Sequence, residues 1–362
     1  MEWIKRRKTK KIKVGNVYIG GDAPISVQSM TKTDTRNIKQ TLGQINELCE
    51  AGCEIVRCAI IDDEAVAAIK EIKKKSPIPI IADIHFQYHL AIASLEAGID
   101  GIRINPGNIG SWEKVREIIR VAKGKNIPIR IGVNSGSLEK NLLDKYGWPT
   151  ADAMTESAYN WVGKFEDEGF TLMKLSIKSS DVKTTIITNE KISKLIDYPI
   201  HIGLTEAGPL QEGITKSGVA LGALLREGIG DTIRVSLSEH PVKEVDAAYE
   251  ILSSLHLRKK HGIDIVSCPT CGRIQIDLIP LVATLKERLS HIKKPIKIAV
   301  MGCMVNAIGE SKEADLAICG GKKFGLIVVK GKIKEKVPES QLIEKFVKEI
   351  ENYAKNIYSE KN

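Results

Sequence analysis

The sequence predicts an α/β fold: a (β/α)8 TIM barrel over residues 1–258, followed by a small α+β domain over 259–362. Three observations predict it. At 362 residues the chain exceeds the size at which a single hydrophobic core keeps growing. A helix–Gly–strand unit recurs through its first two thirds. Past Leu257 that pattern stops and a CxxC pair appears.

The recurring unit reads EAGCEIVRCAI (50–60), EAGIDGIRINPG (96–107), DEGFTLMKLSIK (167–178) and EGIGDTIRVSL (227–237). Each has an acidic helix end, a Gly suited to the positive φ after a helix, and a β-branched strand carrying one basic residue. In the first three, the basic residue (Arg57, Arg103, Lys174) lies five positions after Gly52, Gly98 or Gly169. The helix before Gly52 shows an apolar stripe of Leu42, Ile45, Leu48 and Cys49. Strands are expected near 25–31, 54–60, 78–84, 101–105, 127–134, 171–178, 199–205 and 231–238, with helix-compatible segments between them. This is the order and size of a (β/α)8 barrel. Beyond it, Gly262 introduces a strand ending at CPTCGR. A helix (274–289), three strands (297–303, 315–321, 325–331) and a C-terminal helix (339–354) follow.

The chain is 43% hydrophobic and 27% charged, which suits a soluble globular protein and argues against disorder. No apolar run reaches the length of a membrane span, and no signal-peptide core follows the basic opening, so a cytoplasmic protein is expected. Seven cysteines, an odd number, favour reduced thiols, metal ligands or packing over disulfides. Residues 1–13 hold seven basic groups against Glu2, two thirds of the formal surplus of +9. They are read as a solvated terminus, with nucleic acid or an acidic protein as alternative partners.

A barrel of this kind normally fills its bore with branched apolar side chains and keeps its active site at the C-terminal ends of the strands. Here the strand alternation puts polar groups on one face at those ends: Arg103 with Asn105, Arg130 with Asn134, Lys174 with Ser176 and Lys178, Arg234 with Ser236. Arg57, Asp83 and His85 join them. Five of these cations, Arg57, Arg103, Arg130, Lys174 and Arg234, converging on one mouth repel one another unless an anion neutralises them. Phosphate fits, because guanidinium forks match its oxygens bidentately. The alternative for each is a rim salt bridge. His201 and His240 are read as structural.

Cys268 and Cys271 form the CxxC of CPTCGR, and Cys303 follows Gly302 in MGCMVNAIGE. A CxxC pair places two thiolates on one metal or cluster. Structural zinc would need a fourth ligand, and none is obvious. Three thiolates therefore favour an iron–sulfur cluster with one differentiated iron, with zinc left open. Cys49, Cys53, Cys58 and Cys319 are read as packing residues.

Taken together, these motifs resemble the 4-hydroxy-3-methylbut-2-en-1-yl diphosphate synthases of the non-mevalonate route to isoprenoids. The resemblance runs through GGDAPISVQSMT (20–31), DIHF (83–86), RINPGN (103–108), IRIGVNSGS (129–137), KLSIKSSD (174–181), LTEAG (204–208), GDTIRVSL (230–237), CPTCGR (268–273) and GCMVNAIGE (302–310). It implies a [4Fe–4S] cluster on Cys268, Cys271, Cys303 and Glu310. A carboxylate is a weaker iron ligand than a thiolate, so Glu310 could give up its position to substrate where a fourth Cys would hold it. Many relatives have Gly-Pro where this chain has Ala307 and Ile308, and this chain lacks the large insertion that some relatives carry between the domains. The implied substrate is 2-C-methyl-D-erythritol 2,4-cyclodiphosphate, opened by two electrons with loss of water. Glu206, at the end of the seventh strand, is the candidate acid for the leaving oxygen. The resemblance also implies a homodimer, and electrons from ferredoxin or flavodoxin, both acidic.

Two other classes remain in view. A pterin-dependent methyltransferase-type barrel would bind an anion at the same mouth but leaves the CxxC domain unexplained. A zinc-ribbon nucleic-acid-binding protein would use the basic terminus and CPTC, but it needs interleaved aromatics, and only 5% of residues are aromatic.

Overall fold

The computed structural model describes residues 3–305 and 307–359, without the side chains of Ile308, Glu310, Tyr358 and Ser359. The chain divides into two compact units, Met1–Arg258 and Lys259–Asn362.

In the first unit, β1 (Ile12–Val14) and β2 (Val17–Ile19) form an antiparallel hairpin. Eight parallel strands follow: β3 (Ser26–Met30), β4 (Ile55–Ala59), β5 (Ile80–Ile84), β6 (Gly101–Ile104), β7 (Ile129–Asn134), β8 (Met173–Lys178), β9 (His201–Ile202) and β10 (Thr232–Ile233). Neighbours in sequence pair through to β8, β9 pairs with β10, and β10 pairs with β3. A parallel bridge between Leu175 of β8 and Ile200 closes the ring. Helices alternate with these strands, giving the (β/α)8 barrel that the repeats predict.

The repeated glycines work as expected: Gly52, Gly98, Gly169 and Gly228 have φ of 96°, 82°, 61° and 75°, turning each helix end into its strand. The last two strands are shorter than expected because their ladder stops at the bond from Arg234 N to Ile202 O. Beyond it Thr205 N donates to Ser179 O, and Leu237 N donates to the Glu244 carboxylate.

The main core lies between strands and helices. Val27, Val56, Ile84, Ile102, Ile131, Val133, Leu175 and Ile177 face outward onto Ile45, Leu48, Ile69, Leu95, Ile118 and Phe165. Each such fully buried side chain contributes roughly 1.5–3 kcal/mol, so the barrel's stability comes from its outer shell. At the N-terminal ends of the strands, Ile12, Val14 and Ile19 of the hairpin pack on Ile55 and Ile81 and plug the bore.

The basic opening segment is anchored to the barrel through Arg6 and Arg7, while Lys5, Lys8, Lys10, Lys11 and Lys13 are exposed as a solvated terminus would have them. Arg7 N donates to Gly228 O at 3.0 Å, and its guanidinium donates to Ser193 O at 3.2 Å, to Ile196 O and to Tyr198 O at 2.6 Å. These are carbonyls at and beyond the end of the helix Val182–Ser193, which a cation satisfies well. Asp231 receives Arg6 Nη2 at 3.1 Å and Thr9 Oγ1 at 3.0 Å on one oxygen, and Ile200 N at 2.9 Å on the other. The segment straps the floor of the barrel.

The second unit is a five-stranded mixed sheet in the order β11 (Ile263–Ser267), β12 (Ile296–Met301), β13 (Leu316–Gly321), β14 (Phe324–Val329) and β15 (Lys332–Pro338). The first three strands are parallel and the last two antiparallel. Helices Leu278–Arg288 and Glu339–Ser359 share its core through Leu281, Leu285, Phe346 and Ile350. Among the described residues no helix is long and apolar enough to cross a membrane.

Candidate functional site

The inward positions of the barrel strands carry charge instead of the usual apolar filling. Arg103 of β6 lies opposite Arg130 of β7, and Arg130 opposite Lys174 of β8. Arg103, Arg130, Lys174 and Lys178 are 4%, 2%, 1% and 6% exposed, so these cations sit within the barrel and not on its rim. Arg57 and Arg234 complete six basic side chains, held against two buried carboxylates.

The first carboxylate is Asp83 on β5. Its oxygens lie 3.3 Å from Arg103 Nη1, 3.5 Å from Arg57 Nε and 3.3 Å from His85 Nε2. Burial alone would raise this carboxyl, but Arg57, the His85 contact and Arg103 outweigh it and hold it well below the usual carboxylate range.

The second is Glu244, from the helix Pro241–Ser254, which sequence reasoning missed. It accepts from Arg234 Nε at 3.1 Å and Nη2 at 3.3 Å, from Ser29 Oγ at 2.9 Å and from Leu237 N at 3.2 Å. Lys32 Nζ lies 3.5 Å away. Ten residues separate it from Arg234, on an amphipathic helix where an acid reads as ordinary surface. The one available signal was the excess of strand cations needing a counter-charge.

The remaining cations are under-neutralised. Burial pushes Arg57 down to about 10 despite Asp83. Arg130 is held well below its ordinary value by burial and then by the charges of Arg57 and Arg103. Lys174 is lowered by burial and by Arg130, and Lys178 by burial, Arg130 and Arg234. Among the described residues, Arg130 Nε and Nη1, Lys174 Nζ and Arg103 Nε are buried without a hydrogen-bond partner. Two like charges 4 Å apart at an effective dielectric of about 20 repel by roughly 4 kcal/mol, so the bore favours a polyanion strongly.

Two glycines make room for this charge. A Cβ on Gly132 would lie 2.6 Å from Arg103 Nε, and one on Gly203 would lie 2.5 Å from the Arg234 carbonyl oxygen and 2.7 Å from Lys178 Nζ.

The other expected barrel residues fall nearby. Asn105 donates through Nδ2 to Ser137 Oγ at 2.6 Å. With its amide turned to satisfy both neighbours, Asn134 accepts from Arg103 Nη2 at 3.1 Å. Ser176 is buried and Ser236 half-buried. His201 is also buried; its Nδ1 lies 3.4 Å from Thr232 Oγ1 and its Nε2 has no partner among the described residues. Glu206, on the loop after β9, is exposed at φ 53°, a left-handed conformation uncommon for a residue with a Cβ. Its carboxylate has no ion pair among the described residues, so it is not consumed by a neighbouring Arg.

In the second unit, Cys268 follows β11 and Cys303 follows β12, at the same end of the sheet because Ser267 pairs in parallel with Val300. Cys268 N donates to Val300 O at 3.3 Å, and Gly302 N donates to Cys268 Sγ at 3.3 Å. The CPTC turn doubles back at Thr270, φ 35°, and returns to β12 where Gln275 N donates to Gly302 O at 2.8 Å. All three thiols are free, Cys271 is exposed and the other two half-buried. Cys319 on β13 is buried, and burial pushes its thiol up to about 11. The side chain of Glu310 lies outside the described residues.

Three unoxidised thiols, one already receiving a backbone N–H, form a donor set that suits an iron–sulfur cluster. No three His, Cys, Asp or Glu side chains among the described residues are gathered closely enough to hold a metal ion.

Comparison with known proteins covers both units. Residues 9–249 match the GcpE TIM-barrel domain and residues 264–352 the GcpE protein C-terminal domain. A protein of Aquifex aeolicus is 56% identical over 98% of this chain and 99% of its own, and one of Persephonella marina is 54% identical over 96% and 99%. Both are named 4-hydroxy-3-methylbut-2-en-1-yl diphosphate synthase (flavodoxin). Among solved structures, 3-dehydroquinate dehydratase from Geobacillus kaustophilus is similar in fold at TM-score 0.50 and 14% identity, over 69% of this chain and 99% of that one.

Proposed function

The chain belongs to the GcpE family, and on that premise we propose how its two units divide the work of a 4-hydroxy-3-methylbut-2-en-1-yl diphosphate synthase. The enzyme is an oxidoreductase of the non-mevalonate pathway to isoprenoids. It takes 2-C-methyl-D-erythritol 2,4-cyclodiphosphate, two electrons and two protons to the linear allylic diphosphate and one water. Neither the pterin-dependent barrel nor the zinc ribbon is supported, since both units match the one family. The observation that carries the assignment of sites is the set of buried, unpartnered cationic atoms on Arg130, Lys174 and Arg103.

Arg57, Arg103, Arg130, Lys174 and Arg234 bind the two phosphates, whose charge replaces the partners these groups lack. Asp83 and Glu244 fix the guanidiniums of Arg57, Arg103 and Arg234, so the cradle is in place before substrate arrives. Asn105, Asn134, Ser176, Ser236 and His85 offer hydrogen bonds to the remaining oxygens. Glu206, exposed and unpaired, protonates the departing oxygen. Cys268, Cys271, Cys303 and Glu310 would hold a [4Fe–4S] cluster, which when bound would relay the two electrons to the substrate. Flavodoxin, named in the relatives, or ferredoxin is the donor.

The enzyme acts in the cytoplasm as a homodimer. Ile61, Phe86 and Trp148, on loops after β4, β5 and β7, are 54%, 67% and 74% exposed, an apolar set that a second subunit would cover.

An anaerobic turnover assay with the cyclodiphosphate and a strong chemical reductant tests the assignment, comparing wild type with Glu310→Ala and Cys303→Ser. Both variants are expected to lose most activity. Full activity in Glu310→Ala removes it from the ligand set, and zinc in place of iron in anaerobically purified protein overturns the cluster.

A further inference from the structure

We infer that the exposed turn Lys322–Lys323, together with Arg273 and Lys336, is the docking surface for the acidic electron-donor protein. This rests on the second unit being the cluster-bearing part of the reductase proposed above. The surface is fixed by strand register. β11, β12 and β13 are parallel, with Ser267 opposite Val300 and Met301 opposite Cys319, so their C-terminal ends lie side by side. Cys268 leaves β11 there, Cys303 leaves β12, and Lys322–Lys323 form the turn from β13 into β14.

The three ends are in close contact. A Cβ on Gly320 would lie 2.7 Å from Gly302 O, and Gly302 N is bonded to Cys268 Sγ. With neighbouring strands about 4.8 Å apart, the turn lies roughly two strand spacings from the thiols. β15 returns to the same end, where Lys336 sits opposite Leu326 with its ammonium 4.0 Å from the centre of the Phe324 ring. Arg273 follows Cys271 by two residues.

All four cations are exposed, and none has a carboxylate partner among the described residues. The carboxylates on adjoining segments are Asp277, Glu335 and Glu339, and Glu335 is paired with Lys345, leaving a positive excess. Elsewhere on this unit Lys334 pairs with Glu349 at 2.6 Å, Arg288 with Glu344 and Lys345 with Glu335, while Lys286, Lys293 and Lys348 are exposed without an ion pair among the described residues, so what sets this group apart is its place at the thiol-bearing strand ends. An unpaired cationic cluster keeps its field for an incoming protein and raises its encounter rate. The turn is also braced, since Lys323 holds φ 63° while its carbonyl accepts from Glu339 N at 3.2 Å. Arg6, Arg7 and Lys10 of the basic opening segment are engaged at the barrel floor, so they do not compete for this role.

The test compares two electron sources on the anaerobically purified holoenzyme: reduced flavodoxin, and dithionite-reduced methyl viologen. Charge reversal in Lys322→Glu/Lys323→Glu is expected to raise the KM for flavodoxin on the order of tenfold, leaving viologen-driven turnover unchanged. Lys322→Gln/Lys323→Gln should fall between, and added salt should slow only the flavodoxin reaction of wild type. An unchanged KM for flavodoxin in the reversed variant overturns the inference. So does an equal loss with both donors, which would assign the turn to structure or turnover. Failure of wild type with both donors would instead overturn the proposed function.

Discussion

In the barrel, Arg130 and Lys174 sit 2% and 1% exposed on strands whose outer faces are locked into an apolar shell, with donors already aimed inward. In the second unit, Cys271 is exposed, its turn hangs from a few backbone hydrogen bonds, and no metal-holding group is formed among the described residues. The difference reflects the two ligands. A cradle for phosphate can be built from rigid elements in advance, its cost carried as repulsion between cations. A cluster site is completed by the cluster, because thiolates drawn together without metal only repel. The barrel's guanidiniums are held by Asp83 and Glu244, whereas the three thiols are placed only by the strand ends and turn that carry them.

The largest expected effect separates the two regions outright. Cys303→Ser should lower iron content and turnover beyond the roughly 10–100-fold that loss of an outer-shell partner costs, while calorimetric binding of the cyclodiphosphate to the barrel stays intact. Arg130→Met should do the reverse, keeping iron and losing ligand binding. Loss of both properties in either variant would break the separation.

Next, Glu244→Gln should destabilise the barrel by about 3 kcal/mol, because it leaves Arg234 buried beside a neutral group. Denaturant unfolding measures this. Glu244→Asp should recover part of the loss, and a Glu244→Gln variant as stable as wild type would mean that Arg234 has another partner.

The smallest effect, per unit of change in conditions, is on pH. Lys174 has a lowered pKa in the folded protein, so between that value and its ordinary 10.5 the unfolded chain binds more protons and stability rises with pH. The slope is at most about 1.4 kcal/mol per pH unit for one proton, read from denaturation midpoints of ligand-free protein between pH 7 and 9.5. Lys174→Met should flatten it. Asp83 gives a slope of the same sign in the acid range: its stabilising contribution is present above the ordinary carboxylate value of 3.8 and is lost as pH falls below it.

Local chemistry was legible in the sequence wherever it repeats. The glycines at 52, 98, 169 and 228 each mark a helix-to-strand turn, and alternation after them put the cations on one face. Register did the rest, bringing Arg103, Arg130 and Lys174 level. Longer-range pairing was not legible. The carbonyls that hold Arg7 lie 186 to 191 residues later, so its basic neighbourhood looked like a free terminus. Glu244 was hidden for the same reason, since its value lies in Ser29, 215 residues earlier, and in Arg234. The CxxC spacing marked the thiols, but no pattern of residues states how far apart they stand before metal is bound.

Gly132 and Gly203 both have ordinary backbone angles, unlike the glycines that turn helices into strands. At Gly203 a side chain is excluded first by the Arg234 carbonyl oxygen, 2.5 Å from where a Cβ would lie, whatever becomes of Lys178; at Gly132 it is excluded by the Arg103 guanidinium alone. Across a set of related barrels, position 132 would act as a hereditary record of that cation. A lineage that abandoned the phosphate ligand would be free to acquire alanine or serine there, and one that kept it would not.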